Sequence, residues 1–198
     1  MNQPIPTASA VRTASTAPTT AAAAEPPVPA APVWTVVDSP IGELRLVAHD
    51  GCLVAVDFSP FEPTDARVAG GERRDDEPVL VCARDQLAAY FDRRLTDFDL
   101  PLAPQGTDFQ RRVWDQLLTV GYGSTASYGE VARALGMTNA ASRAVGLANG
   151  RNPIPVVIPC HRVVGADGTL TGYAGGLARK RLLLDLEQPE QPAQEGLF

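Results

Sequence analysis

Residues 127–150 read SYGEVARALGMTNAASRAVGLANG, and their punctuation decides the fold of that half of the chain. Ser127 and Glu130 stand at capping-box spacing, where a hydroxyl and a carboxylate each satisfy a backbone N–H that a helix start leaves unpaired. A short helix is expected through Leu135. Gly136-Met137-Thr138 reads as a turn, and a second helix is expected from Asn139 to about Asn149. Helix, three-residue turn, helix is the helix-turn-helix pattern. Spacing alone favours internal packing over DNA binding. The second helix is rich in small residues: Ala140, Ala141, Ala144, Gly146 and Ala148. A major-groove reader needs long polar side chains to reach base edges, and the middle of this helix offers Arg143 alone. A smooth face with one arginine suits close approach to a minor groove and a single inserted side chain. Tight packing inside a core remains the alternative.

Upstream, Thr107 and Gln110 form another capping box. Phe109, Val113, Leu117 and Val120 continue it as an apolar stripe, with Trp114 beside them. Residues 34–58, WTVVDSPIGELRLVAHDGCLVAVDF, alternate apolar and polar around two breaks. Ser39-Pro40-Ile41-Gly42 is one turn. Asp50-Gly51 is a hairpin signal, because glycine tolerates the positive φ of a type I′ turn. Residues 61–77 read as loop. A helix is expected from Pro78 to about Leu95, with Leu87, Tyr90, Phe91 and Leu95 on one face. The resulting organisation is a 1–32 tail rich in Ala, Pro and Thr and expected to be disordered, an α/β domain over 33–100, a linker at 101–106, a mainly helical domain over 107–187, and a tail at 188–198. The class is α+β.

The 198 residues are 44% hydrophobic, enough for a packed core. No apolar run approaches the roughly 20 residues of a membrane helix. Three cysteines argue against a disulfide framework and fit a reducing compartment, so a cytoplasmic protein without a membrane partner is expected. The net charge of −6 disfavours a nucleic-acid partner, but its distribution does not. Residues 105–187 carry nine Arg or Lys against six Asp or Glu; the remainder carries eight against seventeen.

Downstream, residues 154–165 read IPVVIPCHRVVG. Pro159 fixes its own φ and restrains Ile158 to extended geometry, so Cys160 arrives in a rigid position. A lone free cysteine is most often inert filler, which is the reading for Cys52 and Cys82. Cys160 differs, because cationic or proton-accepting neighbours favour the nucleophilic thiolate and His161 and Arg162 follow it. Adjacency does not place His161 on Cys160, since successive side chains of an extended segment point apart. A water can bridge them, with a carboxylate orienting the imidazole. His49 and Cys52 lack the further ligands of a tetrahedral zinc site. No metal or cofactor is expected.

Together these segments resemble the O6-alkylguanine-DNA alkyltransferases. The resemblance is carried by SYGEVA at 127–132, SRAVGLANG at 142–150, RNPIP at 151–155, IPCHRVVG at 158–165 and GYAGGLARKRLLLDLE at 172–187. DSPIGELRLVA at 38–48 is similar to the start of the family's N-terminal domain. The resemblance implies a ribonuclease-H-like N-terminal domain with antiparallel strands and a C-terminal helix-turn-helix domain. It implies double-stranded DNA bound through the minor groove, an O6-alkylguanine flipped from the duplex, and irreversible transfer of its alkyl group to Cys160. His161 would take the thiol proton through a water, and Glu187 would orient His161. Tyr128 would help protonate the departing guanine and crowd the rotating phosphate. Arg143 would fill the gap in the duplex, on a face lined by Ala140, Ala141, Ala144 and Gly146. Asn152 would tie the helix-turn-helix to the cysteine loop, Tyr173 would pack on the alkyl pocket, and the Cys160 and Val163 carbonyls would read the guanine amine. Ala174 stands where the family often has serine, so only a backbone role survives there. Activity on O4-alkylthymine and clustering of an otherwise monomeric chain on DNA are left open. The rivals are a non-catalytic lesion-binding module and a Cys–His hydrolase, for which nothing in the sequence marks an oxyanion hole.

Overall fold

The computed structural model describes residues 31–61, 69 and 71–189. Both tails lie largely outside the described residues, as do residues 62–68 and 70 of the 61–77 loop.

The N-terminal half is a sheet with one helix on it. Strands β1 (Val33–Val37), β2 (Leu44–His49) and β3 (Cys52–Phe58) form an antiparallel meander. The two turns between them fall where the sequence puts them. Gly42 has φ 96°, while Asp50 and Gly51 have φ 49° and 73°, the paired positive values of a type I′ hairpin. A short strand β4 (Glu72–Arg73) pairs in parallel with β1, giving the order β3-β2-β1-β4. The expected antiparallel strands are joined by this one parallel pairing, so the sheet is mixed. One expectation is corrected: 72–73 is strand rather than loop. Two exposed charged residues carry no strand signal of their own; pairing with β1 decides their conformation.

Helix α1 (Pro78–Phe91) starts with its proline in the first turn, where a missing N–H costs nothing. Val79, Leu80, Ala83, Leu87 and Tyr90 face inward. The helix stops four residues before the expected Leu95, because Arg93 turns to φ 58°. The 101–106 linker does not hang free: Leu53 N–H donates to Pro101 O at 2.8 Å, and Ala103 N–H donates to Leu53 O at 3.0 Å. Beyond it along β3, Val56 N–H donates to Pro153 O at 2.9 Å. The outer edge of β3 is therefore covered by chain from the second half, which removes an exposed strand edge.

The C-terminal half contains α2 (Asp108–Leu117), α3 (Tyr128–Ala134), α4 (Ser142–Gly150) and α5 (Leu177–Glu187). Both capping boxes form, Thr107 with Gln110 and Ser127 with Glu130. Gly136, at φ 75°, makes the turn after α3. The second helix of the pair begins as a 3-10 turn over Asn139–Ala141 before α4 takes over, rather than as one continuous helix from 139. Trp114 is buried and donates its indole N–H to Ala148 O at 2.9 Å, locking α2 to α4. Short strands β5 (Ala126–Ser127) and β6 (Val163–Val164) pair in parallel, placing Tyr128 near the cysteine loop. Apolar residues from both halves, Tyr90 and Leu46 with Val156 and Leu183 among them, belong to one buried cluster. Among the described residues, no helix is long and apolar enough to cross a membrane.

Candidate active site

The cysteine loop is held before the cysteine is reached. Asn152 donates from Nδ2 to Ile158 O at 2.8 Å, and its Oδ1 accepts Ile154 N–H at 3.0 Å. Asn149, on the last turn of α4, donates to Cys160 O at 3.3 Å. Between these ties the segment is not extended, as the proline suggested; it turns, with Ile158 N–H on Ile154 O at 2.9 Å and Val156 at φ 74°. Cys160, His161 and Arg162 then form a 3-10 turn. The alternation argued for an extended segment does not apply to them.

All three side chains point inward: Cys160 is 4% exposed, His161 0% and Arg162 5%. Their partner is Glu187 at the end of α5, itself 2% exposed. Glu187 Oε1 lies 2.9 Å from His161 Nε2. Arg162 donates to the same carboxylate from Nε and Nη2, each at 2.9 Å. Tyr90 donates its hydroxyl to Oε1 at 2.7 Å, across 97 residues of chain, and Gly123 N–H reaches Oε2 at 3.3 Å. Burial raises a carboxyl, but here the hydrogen bonds from His161, Arg162 and Tyr90 outweigh it and hold Glu187 down to about 2. An ionised carboxylate only accepts, so Nε2 carries the imidazole proton. Nδ1 is then the basic nitrogen, and it has no protein partner. Burial lowers the His161 pKa against the pull of Glu187, which favours the neutral ring. Burial pushes the Cys160 thiol up to about 11, opposed by a hydrogen bond from Asn152 and by the charge of Lys180. The resting arrangement is thus a neutral thiol, a neutral base and a fixed anion behind the base.

Tyr128, at the start of α3, accepts a hydrogen bond from Thr171 at 3.0 Å, leaving its own proton to donate elsewhere. Its ring packs on Gly146, where an added Cβ would lie 3.6 Å from the ring carbons. Ala140, Arg143 and Ala144 are exposed, whereas Ala141 and Gly146 are half-buried. Leu147, one turn beyond Arg143, is 61% exposed. A cavity of about 560 Å³ opens between α3 and residues 164–168, lined by Tyr128, Arg133, Ser142 and Gly165 among others. The Val163 carbonyl accepts Lys180 Nζ at 2.6 Å, and the Cys160 carbonyl accepts Asn149; each keeps a second lone pair. Tyr173 is half-buried with its hydroxyl sequestered and unpartnered, and Ala174 is exposed.

Sequence reasoning passed over Tyr90, Asn149, Thr171 and Lys180. Lys180 carried a usable signal. It sits on α5 at i−7 from Glu187, on the side that faces the core, and it is fully buried.

Fold and site bring a buried cysteine and a histidine–carboxylate pair together beside a helix-turn-helix. The sequence matches the 6-O-methylguanine DNA methyltransferase DNA-binding domain over residues 108–189 and the ribonuclease-like domain of the same proteins over 33–104, and the chain belongs to this family. A Mycobacterium tuberculosis methylated-DNA–protein-cysteine methyltransferase is 49% identical over 167 residues, covering 83% of this chain and 98% of that one. A relative of the same name from Methanosarcina acetivorans is 46% identical over 158 residues, covering 78% and 97%. The crystal structure of Mycobacterium tuberculosis OGT in complex with DNA is similar at TM-score 0.71 and 49% identity, over 78% of this chain and 92% of that one.

Proposed function

We propose that Cys160 is the residue that accepts the alkyl group, and that the lesion is O6-alkylguanine in double-stranded DNA. The protein binds DNA and repairs it by transferring a methyl group from methylated DNA to one of its own cysteines. The observation that carries the assignment to Cys160 is the buried hydrogen bond with Glu187 made by His161, its neighbour in the chain. In the proposed reaction the extruded guanine enters beside Cys160. The thiol proton passes through a water to His161 Nδ1, and Glu187 stabilises the imidazolium. The sulfur attacks the alkyl carbon: the S–C bond forms as the C–O bond to O6 breaks. The electron pair left on guanine is neutralised by a proton delivered by Tyr128. The thioether has no base-assisted route back, so each chain reacts once.

The exposed side of α4 is the proposed DNA face, with Arg143 entering the space vacated by the base between the small residues Ala140 and Ala144. Ala141 and Gly146 serve the same approach from beneath, Gly146 by letting Tyr128 sit close. Asn152 links this helix to the cysteine loop, Tyr173 walls the alkyl pocket, and the backbone at Ala174, Cys160 and Val163 contacts the guanine. The protein acts as a monomer in the cytoplasm, where the free Cys52, Cys82 and Cys160 stay reduced.

Mass spectrometry of the chain after incubation with excess O6-methylguanine duplex tests this directly. One added methyl per chain, on the Cys160 peptide, is the expected result. Methylation elsewhere, or more than one turnover per chain, overturns the assignment.

A further inference from the structure

Arg179 lies in the first turn of α5, the helix that follows the glycine pair ending the Tyr173 loop. Its guanidinium donates to three backbone carbonyls: Nε to Ile41 at 2.7 Å, Nη2 to Ser59 at 2.9 Å and Nη1 to Gly175 at 3.2 Å. Ile41 is in the β1–β2 turn and Ser59 follows β3, so two acceptors belong to the N-terminal half and the third to the loop. The guanidinium also stacks over the Phe58 ring, 5.2 Å from its centroid. That ring tilts against Tyr173 with centroids 5.7 Å apart. Space between them is fully used. A Cβ added at Gly175 would fall 2.8 Å from Phe58 and 2.9 Å from Tyr173, inside van der Waals contact.

We propose that Arg179 and Phe58 are positioning residues through which the N-terminal half fixes the wall of the alkyl pocket. Arg179 bolts the loop to the β1–β2 turn and the end of β3, and Phe58 backs Tyr173 so that the ring cannot retreat. This rests on the reading of Cys160 as acceptor and Tyr173 as pocket wall. Nothing in the clamp lies on α4, so its loss acts on the transfer step and on alkyl-group size rather than on DNA affinity. A guanidinium is suited to the task because its planar fork meets several carbonyls at once.

The test uses the full chain in wild-type, Arg179→Met, Arg179→Lys and Phe58→Leu forms. Each is measured for duplex affinity, for the single-turnover transfer rate from O6-methylguanine duplex, and for the rate ratio of O6-benzylguanine to O6-methylguanine. Arg179→Met is expected to slow methyl transfer about tenfold, in line with the cost of a small misplacement of reacting groups, with affinity unchanged within about twofold. Arg179→Lys restores part of that rate, since an ammonium reaches fewer of the carbonyls. Phe58→Leu shifts the rate ratio toward the benzyl group by about threefold or more, a readout that loss of stability alone does not move. It also carries the test if Arg179→Met fails to fold. A methylated wild type with Arg179→Met and Phe58→Leu reacting at its rate and ratio overturns the clamp alone. A wild type that gains no methyl on Cys160 overturns the acceptor assignment and the clamp with it.

Discussion

The β2–β3 hairpin and the cysteine loop both depend on residues in left-handed backbone conformations, and they obtain them in opposite ways. The hairpin places Asp50 and Gly51 there, residue types for which that region is accessible. The loop places Val156 there, a fully buried β-branched residue for which it is strained by about 1–3 kcal/mol. The hairpin is thus written into its own two residues. The loop is held by Asn149 and Asn152 from behind and by the Arg162–Glu187 and Lys180–Val163 bonds from across the domain. A segment that must present a reactive group in one geometry is fixed from outside; a segment that only reverses the chain is fixed from within.

The sharpest way to break this contrast is at Glu187. Glu187→Gln leaves Arg162 buried without its anion and should cost about 3–5 kcal/mol in urea unfolding. It should also abolish measurable methyl transfer. The same carboxylate sets the acid response. Its folded pKa of about 2 lies below the unfolded value of about 4.3, so its contribution is complete above pH 5 and lost as pH falls toward 2. Wild-type stability, followed by tryptophan fluorescence, should fall by about 3 kcal/mol more than that of Glu187→Gln over this window. Asn152→Ala removes two buried hydrogen bonds of the loop and should cost about 1–3 kcal/mol, with transfer slowed far more than DNA binding. Gly51→Ala strains the hairpin by about 1–2 kcal/mol and should leave the transfer rate untouched. Thr107→Ala removes a helix cap for about 1 kcal/mol, again without effect on transfer. If Gly51→Ala slowed transfer as much as Asn152→Ala, the division between self-written and externally held segments would fail.

Much of the architecture was legible because its signals are short-range. Capping boxes span four residues, and the Asp50-Gly51 hairpin turn and the Gly136 turn need only the φ preferences of their own residues. The misreadings came from segments whose conformation is imposed from elsewhere. β4 is strand because β1 lies beside it. α1 ends early because Arg93 turns left-handed and then donates to Gln188 O on the other half, at 3.1 Å. The 154–158 run turns rather than extends because Asn152 captures its backbone at both ends, at Ile154 N–H and Ile158 O.

The sequence alone singled out the residues proposed to carry chemistry: Cys160 and His161 stand together after a proline, and Arg143 stands alone on a helix of small residues. Only the tertiary structure decided what surrounds them. Tyr90 meets Glu187 across 97 residues, and Arg179 meets Ile41 across 138. No periodicity links such positions, since each contact exists only when two separately folded elements pack, and packing is a property of the whole core.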